Sequence, residues 1–222
     1  MRNLPDLVIF DCDGVLVDSE PISNRVLADL LTEIGLPTTF EQSLQLFLGK
    51  SWKDNFLTIQ ERLGKSPPQD LYEIYTKRMY QAFEAELKPI SGIESSLDQI
   101  DLKTCVASSG PHMKIQKALE ITGLLTRFEN HIFSADDVEK GKPAPDLFLY
   151  ACEQMGSKPY SCVVVEDALP GVRSGVSAGM TVLAYTPCGD VNNFKNLGAI
   201  TFEDMIELPS ILNGIMEGKF EL

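Results

Sequence analysis

Short, continuous apolar runs recur along the chain, each ending in a polar turn: residues 7–10, 104–107, 131–133, 162–165 and 181–184. Runs of this length without alternation suit strands covered on both faces, as in a parallel sheet. Helical spacing of apolar positions fills residues 113–121, 145–155 and 170–178 between them. Strand and helix therefore alternate, which predicts an α/β fold with a doubly wound parallel, Rossmann-like sheet. One interval breaks the alternation. Between residues 19 and 88 the pattern gives helices over 22–34, 41–47, 53–63 and 70–86, punctuated by Gly35-Leu36-Pro37 and Ser66-Pro67-Pro68. A helical block of this length exceeds a simple crossover. The division it predicts is a core domain of residues 1–18 and 89–222, with 19–88 inserted as an all-helical domain. The alternative is that these helices decorate one face of a single sheet. The acidic segment after Phe202 reads as a solvated terminal helix.

Composition narrows the function. The 222 residues are 44% hydrophobic and 23% charged, values of an ordinary globular protein. No apolar run approaches the roughly 20 residues of a membrane helix. The first residues lead into LPDLVIF with no secretory-signal series, so a cytoplasmic location is expected, without a membrane partner. Five cysteines (Cys12, Cys105, Cys152, Cys162 and Cys188) form no C-x-x-C pair, and mostly buried free thiols are expected. The formal net charge of −13, with no Lys/Arg cluster, argues against nucleic acid as a partner. That field repels anions, so a phosphorylated substrate requires local cations. Oligomeric state is not legible; a monomer is compatible with the sequence.

The polar residues that end the apolar runs carry the candidate chemistry. The first run leads into Asp11-Cys12-Asp13-Gly14, and ligands of open α/β sheets bind beyond the carboxyl ends of strands. An isolated D-x-D is equally the start of a capped turn. A later run ends in Glu166-Asp167, and a parallel sheet would bring those carboxylates toward Asp11 and Asp13. Two like charges about 4 Å apart repel by roughly 4 kcal/mol at an effective dielectric of about 20. The cluster of Asp11, Asp13, Glu166 and Asp167 therefore calls for a cation, and an all-oxygen set suits Mg2+. Ser108-Ser109-Gly110 lies between a strand and a helix, where hydroxyls and free N–H groups cradle phosphate. Taken alone it is an ordinary helix-capping turn. Lys142, in Gly141-Lys142-Pro143-Ala144-Pro145, stands in a proline-stiffened loop that could hold its ammonium in place, or is a surface lysine before a helix.

In this order, DCDG, Ser108, Lys142 within GKPAPD and Glu166-Asp167 within VVVEDALPGV resemble the haloacid dehalogenase-like superfamily. The helical insert resembles the cap of its phosphoglucomutase-like branch. Within that branch, DCDGVLVDSE and VASSGP are most similar to bacterial 6-phosphogluconate and related sugar-phosphate phosphatases. The resemblance implies a Mg2+-dependent phosphatase acting on a small phosphorylated metabolite, a sugar or sugar-acid phosphate. It implies Asp11 as nucleophile, Asp13 as acid and base, and Ser108 and Lys142 as clamps on the phosphoryl oxygens. It implies a metal on Asp11, the Asp13 carbonyl and Asp167, with Glu166 beside it. Two other functions stay open: a β-phosphoglucomutase-type mutase, and a non-catalytic binding protein on the same fold.

The inserted segment bears on that choice. The resemblance places Gly49, Lys50 and Ser51 against the leaving group, where Lys50 would pair with a second anionic group. Sugar mutases of this branch carry a histidine and an arginine where this chain has Ser23 and Trp52, so hydrolysis is expected over isomerisation. Gly49-Lys50-Ser51 is not a phosphate-binding P-loop, because Leu44 occupies the required earlier glycine and no strand precedes it. His112 and His131 lack metal-ligand spacing. Tyr72, Tyr75, Tyr80 and Phe83 read as helix-packing residues.

Overall fold

The computed structural model describes residues 4–187 and 191–220; Cys188 lies outside them. Six strands form one parallel sheet in the order β3-β2-β1-β4-β5-β6. They are β1 (Leu7–Phe10), β2 (Lys103–Ser108), β3 (Ile132–Ser134), β4 (Cys162–Glu166), β5 (Thr181–Tyr185) and β6 (Ile200–Phe202). The helices are α1 (Glu20–Glu33), α2 (Phe40–Phe47), α3 (Trp52–Leu63), α4 (Leu71–Glu86), α5 (Ile93–Leu97), α6 (His112–Ile121), α7 (Asp146–Gln154), α8 (Leu169–Ser177), α9 (Val191–Lys195) and α10 (Leu208–Met216). The doubly wound sheet expected from the alternation is present.

Its register explains where a site can form. β1 lies between β2 and β4, with Phe10 opposite Val106 on one side and Val165 on the other. All four β1 residues are fully buried, as are Val163, Val164 and Val165. The chain leaves β1 toward one edge of the sheet and enters β4 toward the other. The crevice at that switch point opens between the carboxyl ends of β1 and β4. Leu7, Ile9, Cys105, Ala107, Val164 and Val182 share a core with Leu147, Phe148 and Ala151 of α7 and Val172 of α8.

The chain divides into two compact units, residues 1–17 with 89–222, and residues 18–88. The second has its own core of Leu27, Leu30, Leu31, Leu36, Phe47, Ile59 and Leu71. Thr39 caps α2 in a reciprocal capping box with Gln42. Trp52 stacks on Tyr75 at 5.2 Å and leans on Tyr72 at 4.8 Å, while Phe83 is fully buried, so these aromatic residues do serve helix packing. At the base of this unit the two connecting segments run side by side. Ile90 N–H donates to the Leu16 carbonyl at 2.9 Å, and Asp18 N–H donates to the Lys88 carbonyl at 3.0 Å.

One expectation is corrected. The segment after Phe202 is not a solvated helix: α10 buries Leu208, Leu212 and Ile215. The acidic residues Glu203, Asp204 and Glu207 precede the helix, and the helix itself is almost wholly apolar. Among the described residues no helix is long and apolar enough to cross a membrane.

Candidate active site

Asp11 is the first residue past β1, and its N–H continues the ladder by donating to the Val165 carbonyl at 3.0 Å. Its side chain is thereby aimed from the end of the central strand. Gly14 then turns the chain with φ at +77°. A Cβ there would lie 2.0 Å from Asp167 Oδ2, so glycine is required both by conformation and by the closeness of that carboxylate.

Lys142 joins two strand ends. Its Nζ donates to Asp11 Oδ1 at 2.9 Å and to Glu166 Oε1 at 2.6 Å, and it lies 4.7 Å from the centre of the Phe148 ring. Its side chain is 4% exposed. Burial favours the neutral amine, but Asp11 and Glu166 outweigh it and hold the ammonium above its ordinary pKa. Burial pushes Asp11 the other way. Lys142 pulls its pKa down, Glu166 and Asp13 push it up, and it stands at about 6. Cys12, between the two aspartates, is buried with its thiol pKa raised well above the ordinary value, first by burial and then by Asp13 and Asp11. That environment makes it a packing residue rather than a nucleophile.

Glu166 is the structural anchor. Its Oε2 accepts from the N–H groups of Asp167 and Ala168, each at 3.0 Å, and fixes the turn into α8. Gly171 leaves room for it: a Cβ there would fall 1.7 Å from Glu166 Oε1. Asp11, Glu166 and Asp167 each offer an oxygen within 4.8 Å of the others, a spacing open to one metal ion. Asp13 adds a fourth carboxylate, and Lys114 Nζ donates to its Oδ2 at 2.8 Å. Among the described residues, these four carboxylates against two ammoniums leave a formal charge of −2, which one divalent cation would balance. The hard oxygen donors suit Mg2+.

Ser108 ends β2 and is buried, its Oγ accepting from Gly110 N–H at 3.3 Å. Gly110 is held from the other side, where Ser134 Oγ donates to its carbonyl at 2.7 Å. Ser109 and Gly110 are half-buried at the turn into α6. Asp11, Asp13, Lys142, Glu166 and Asp167 are thus brought together, and the Ser108–Gly110 turn opens the helix that carries Lys114. Gly49, Lys50 and Ser51 belong to the helical unit, in the turn between α2 and α3. There Ser51 caps α3 by accepting from Asp54 N–H, and Lys50 is exposed. In the same unit Ser23 is buried on α1, its hydroxyl without a partner among the described residues. His112 pairs with Asp137 at 2.9 Å.

Lys114 is absent from the sequence-based candidates, as are Ser134 and Gly171. A lysine in a helix's first turn carries no distinguishing pattern. Ser134 had one usable signal, a polar residue closing an apolar run. Gly171 had another, a glycine inside a helix facing the preceding acidic pair.

Residues 8–185 match the family model described as haloacid dehalogenase-like hydrolase. The chain is 30% identical to the 6-phosphogluconate phosphatase of Escherichia coli strain K12, over 93% of this chain and 94% of that protein. It is 28% identical to a phosphorylated carbohydrates phosphatase of Thermotoga maritima, over 95% of this chain and all of that one. The crystal structure of a haloacid dehalogenase-like protein of unknown function from Agrobacterium tumefaciens superposes with a TM-score of 0.83 at 32% identity, covering 95% of this chain and 99% of that one. With its strand-end aspartates, its buried lysine and a family match from β1 through β5, the chain belongs to the haloacid dehalogenase-like hydrolases.

Proposed function

We propose that this protein is a Mg2+-dependent phosphatase that hydrolyses a small phosphorylated metabolite, a sugar or sugar-acid phosphate such as 6-phosphogluconate, through an aspartyl-phosphate. The observation that carries the reading is the Asp11 carboxylate at the end of the central strand, 2.9 Å from the buried Lys142 ammonium and within metal-ligand spacing of Asp167. Its relatives named as phosphatases of 6-phosphogluconate and of phosphorylated carbohydrates support the substrate class.

Asp11 is the nucleophile, and a carboxylate is a recognised one for phosphoryl groups. Lys142 keeps it anionic and, with Ser108 and the N–H groups of the Ser109-Gly110 turn, binds the phosphoryl oxygens. Asp13 gives a proton to the departing oxygen, then takes one from the water that hydrolyses the acyl phosphate. The side chains of Asp11 and Asp167 and the carbonyl of Asp13 would hold the metal, with Glu166 supporting them. When bound, Mg2+ neutralises charge that develops on the phosphoryl oxygens. The helical unit acts as a cap, and Gly49-Lys50-Ser51 selects the leaving group.

Ser23 and Trp52, at the positions where the sugar mutases of this branch carry histidine and arginine, favour hydrolysis over isomerisation. The test is phosphate release from a panel of sugar phosphates, sugar acids and nucleotides with Mg2+, for the wild type and Asp11→Asn. Mg2+-dependent release by the wild type alone is expected. Substantial release by Asp11→Asn free of deamidation would remove Asp11 from its role. Formation of glucose 6-phosphate from β-glucose 1-phosphate with a trace of 1,6-bisphosphate, faster than phosphate release, would make the enzyme a mutase.

A further inference from the structure

We infer that Lys114 is a positioning residue for Asp13: it fixes which carboxyl oxygen faces the departing group. The inference rests on the reading of Asp13 as the leaving-group acid. Lys114 stands outside the four sequence motifs of the site, yet its Nζ donates to Asp13 Oδ2 at 2.8 Å. The pair is largely enclosed, with side chains 21% and 16% exposed.

The lysine is itself held at its base. α6 begins directly after the Ser108-Ser109-Gly110 turn, and Lys114 N–H donates to the Pro111 carbonyl at 2.9 Å. Its aliphatic stem runs along Gly110, where an added Cβ would stand 3.4 Å from Lys114 Cδ. Gly110 in turn is tied down by Ser134. A rigid turn thus carries the ammonium to Asp13.

Asp13 needs such a hold. Its carboxyl group is near enough to Asp11 for the two like charges to repel, which favours rotation away from that neighbour. An ammonium on Oδ2 opposes that rotation. The contact assigns the transferable proton to the other oxygen, Oδ1, because a protonated carboxyl accepts at its carbonyl oxygen. In the step concerned, the Asp11–phosphorus bond forms, the phosphorus–oxygen bond of the ester breaks, and the Asp13 proton passes to the departing oxygen. Misplacing a catalytic group by about 1 Å can cost on the order of 100-fold in rate.

The experiment compares wild type, Lys114→Met and Lys114→Arg on two esters: the best sugar phosphate from the panel, and p-nitrophenyl phosphate. The first leaves as an alkoxide that requires a proton, the second as a stabilised phenolate that does not. The readout is kcat/KM, which excludes hydrolysis of the aspartyl-phosphate after the alcohol has left. For Lys114→Met a loss of about 100-fold is expected on the sugar phosphate, with a loss at least tenfold smaller on the aryl ester. Lys114→Arg should recover most of the sugar-phosphate rate. Equal losses on both esters would overturn the inference and make Lys114 a phosphoryl-binding residue. No loss on either, or no recovery with arginine, would overturn it as well. Thermal melting of each variant reports folding, and Lys114→Gln replaces the methionine variant if that one fails to fold. A wild type inactive on both esters would instead sink the phosphatase reading, and this inference with it.

Discussion

Two residues show how the chemistry of the site is tied to its stability, in opposite senses. Asp11 is a buried acid whose pKa rises from 3.8 to about 6. The folded state therefore holds its proton more tightly than the unfolded chain. Without metal, stability is lost as pH rises from about 4 to about 6, and that loss persists above pH 6. Asp11→Asn escapes it, and its amide oxygen still accepts from Lys142. Metal-free Asp11→Asn should be more stable than wild type at pH 7.5, on the order of 2 kcal/mol, with the gap closing toward pH 4. Denaturant unfolding with chelator across that pH range measures it; a wild type equal to or more stable than the variant at pH 7.5 contradicts the account. Gly171→Ala is expected to act in the opposite direction. Its methyl group would occupy the Glu166 carboxylate position, so both the Lys142 contact and the turn into α8 must give way. A loss of more than about 2 kcal/mol and most of the turnover is expected. Gly141→Ala, whose Cβ would meet only Ala135 at 3.6 Å, is the control and should melt near wild type. Asp11 and Glu166 were legible because each closes an apolar run. Lys114 was not, since only the folded chain carries the start of α6 to Asp13.

Elements were legible where their hydrophobic period was long. The helices of residues 18–88 were expected to within two residues at each end, because each repeats its apolar stripe over at least two turns. β6, Ile-Thr-Phe, has a polar centre and so no continuous apolar run, and α5 and α9, of five residues each, are too short to establish a helical period. The buried face of α10 was missed because the acidic run before it dominated the reading. Local chemistry sets the helix starts. Thr39 is exposed, so its value to α2 lies in the capping box and not in burial. Thr39→Ala should destabilise the protein by about 1 kcal/mol, and Thr39→Ser should restore most of it. Chemical denaturation of the three proteins is the measurement, and an alanine variant as stable as wild type would deny the cap its role.

At the scale of the whole molecule the governing quantity is charge. A net charge of −13 repels itself, and the four carboxylates at the strand ends concentrate that repulsion at one point. Adding Mg2+ to chelator-treated protein should raise its melting temperature with increasing concentration, as a ligand of the native state alone must. The same titration should restore phosphatase turnover. Ca2+ should give the thermal shift with little turnover, because its looser coordination does not hold the attack geometry. Turnover that survives exhaustive chelation would end the metal reading. The fold class was visible in the sequence as alternation, and the inserted unit as a break in it; what stayed hidden was how the break is closed. The outgoing and returning segments are hydrogen-bonded to each other, Leu16 with Ile90 and Asp18 with Lys88. The sheet therefore meets this unit as a pair of neighbouring ends, the boundary condition of a hairpin loop. The chain entropy of closing such a loop grows only with the logarithm of its length. A shorter, longer or differently folded insert joined at those two hydrogen-bonded steps would face nearly the same requirement. The junction makes the helical segment an exchangeable cassette, one that can be replaced without redesigning the strands that hold the aspartates.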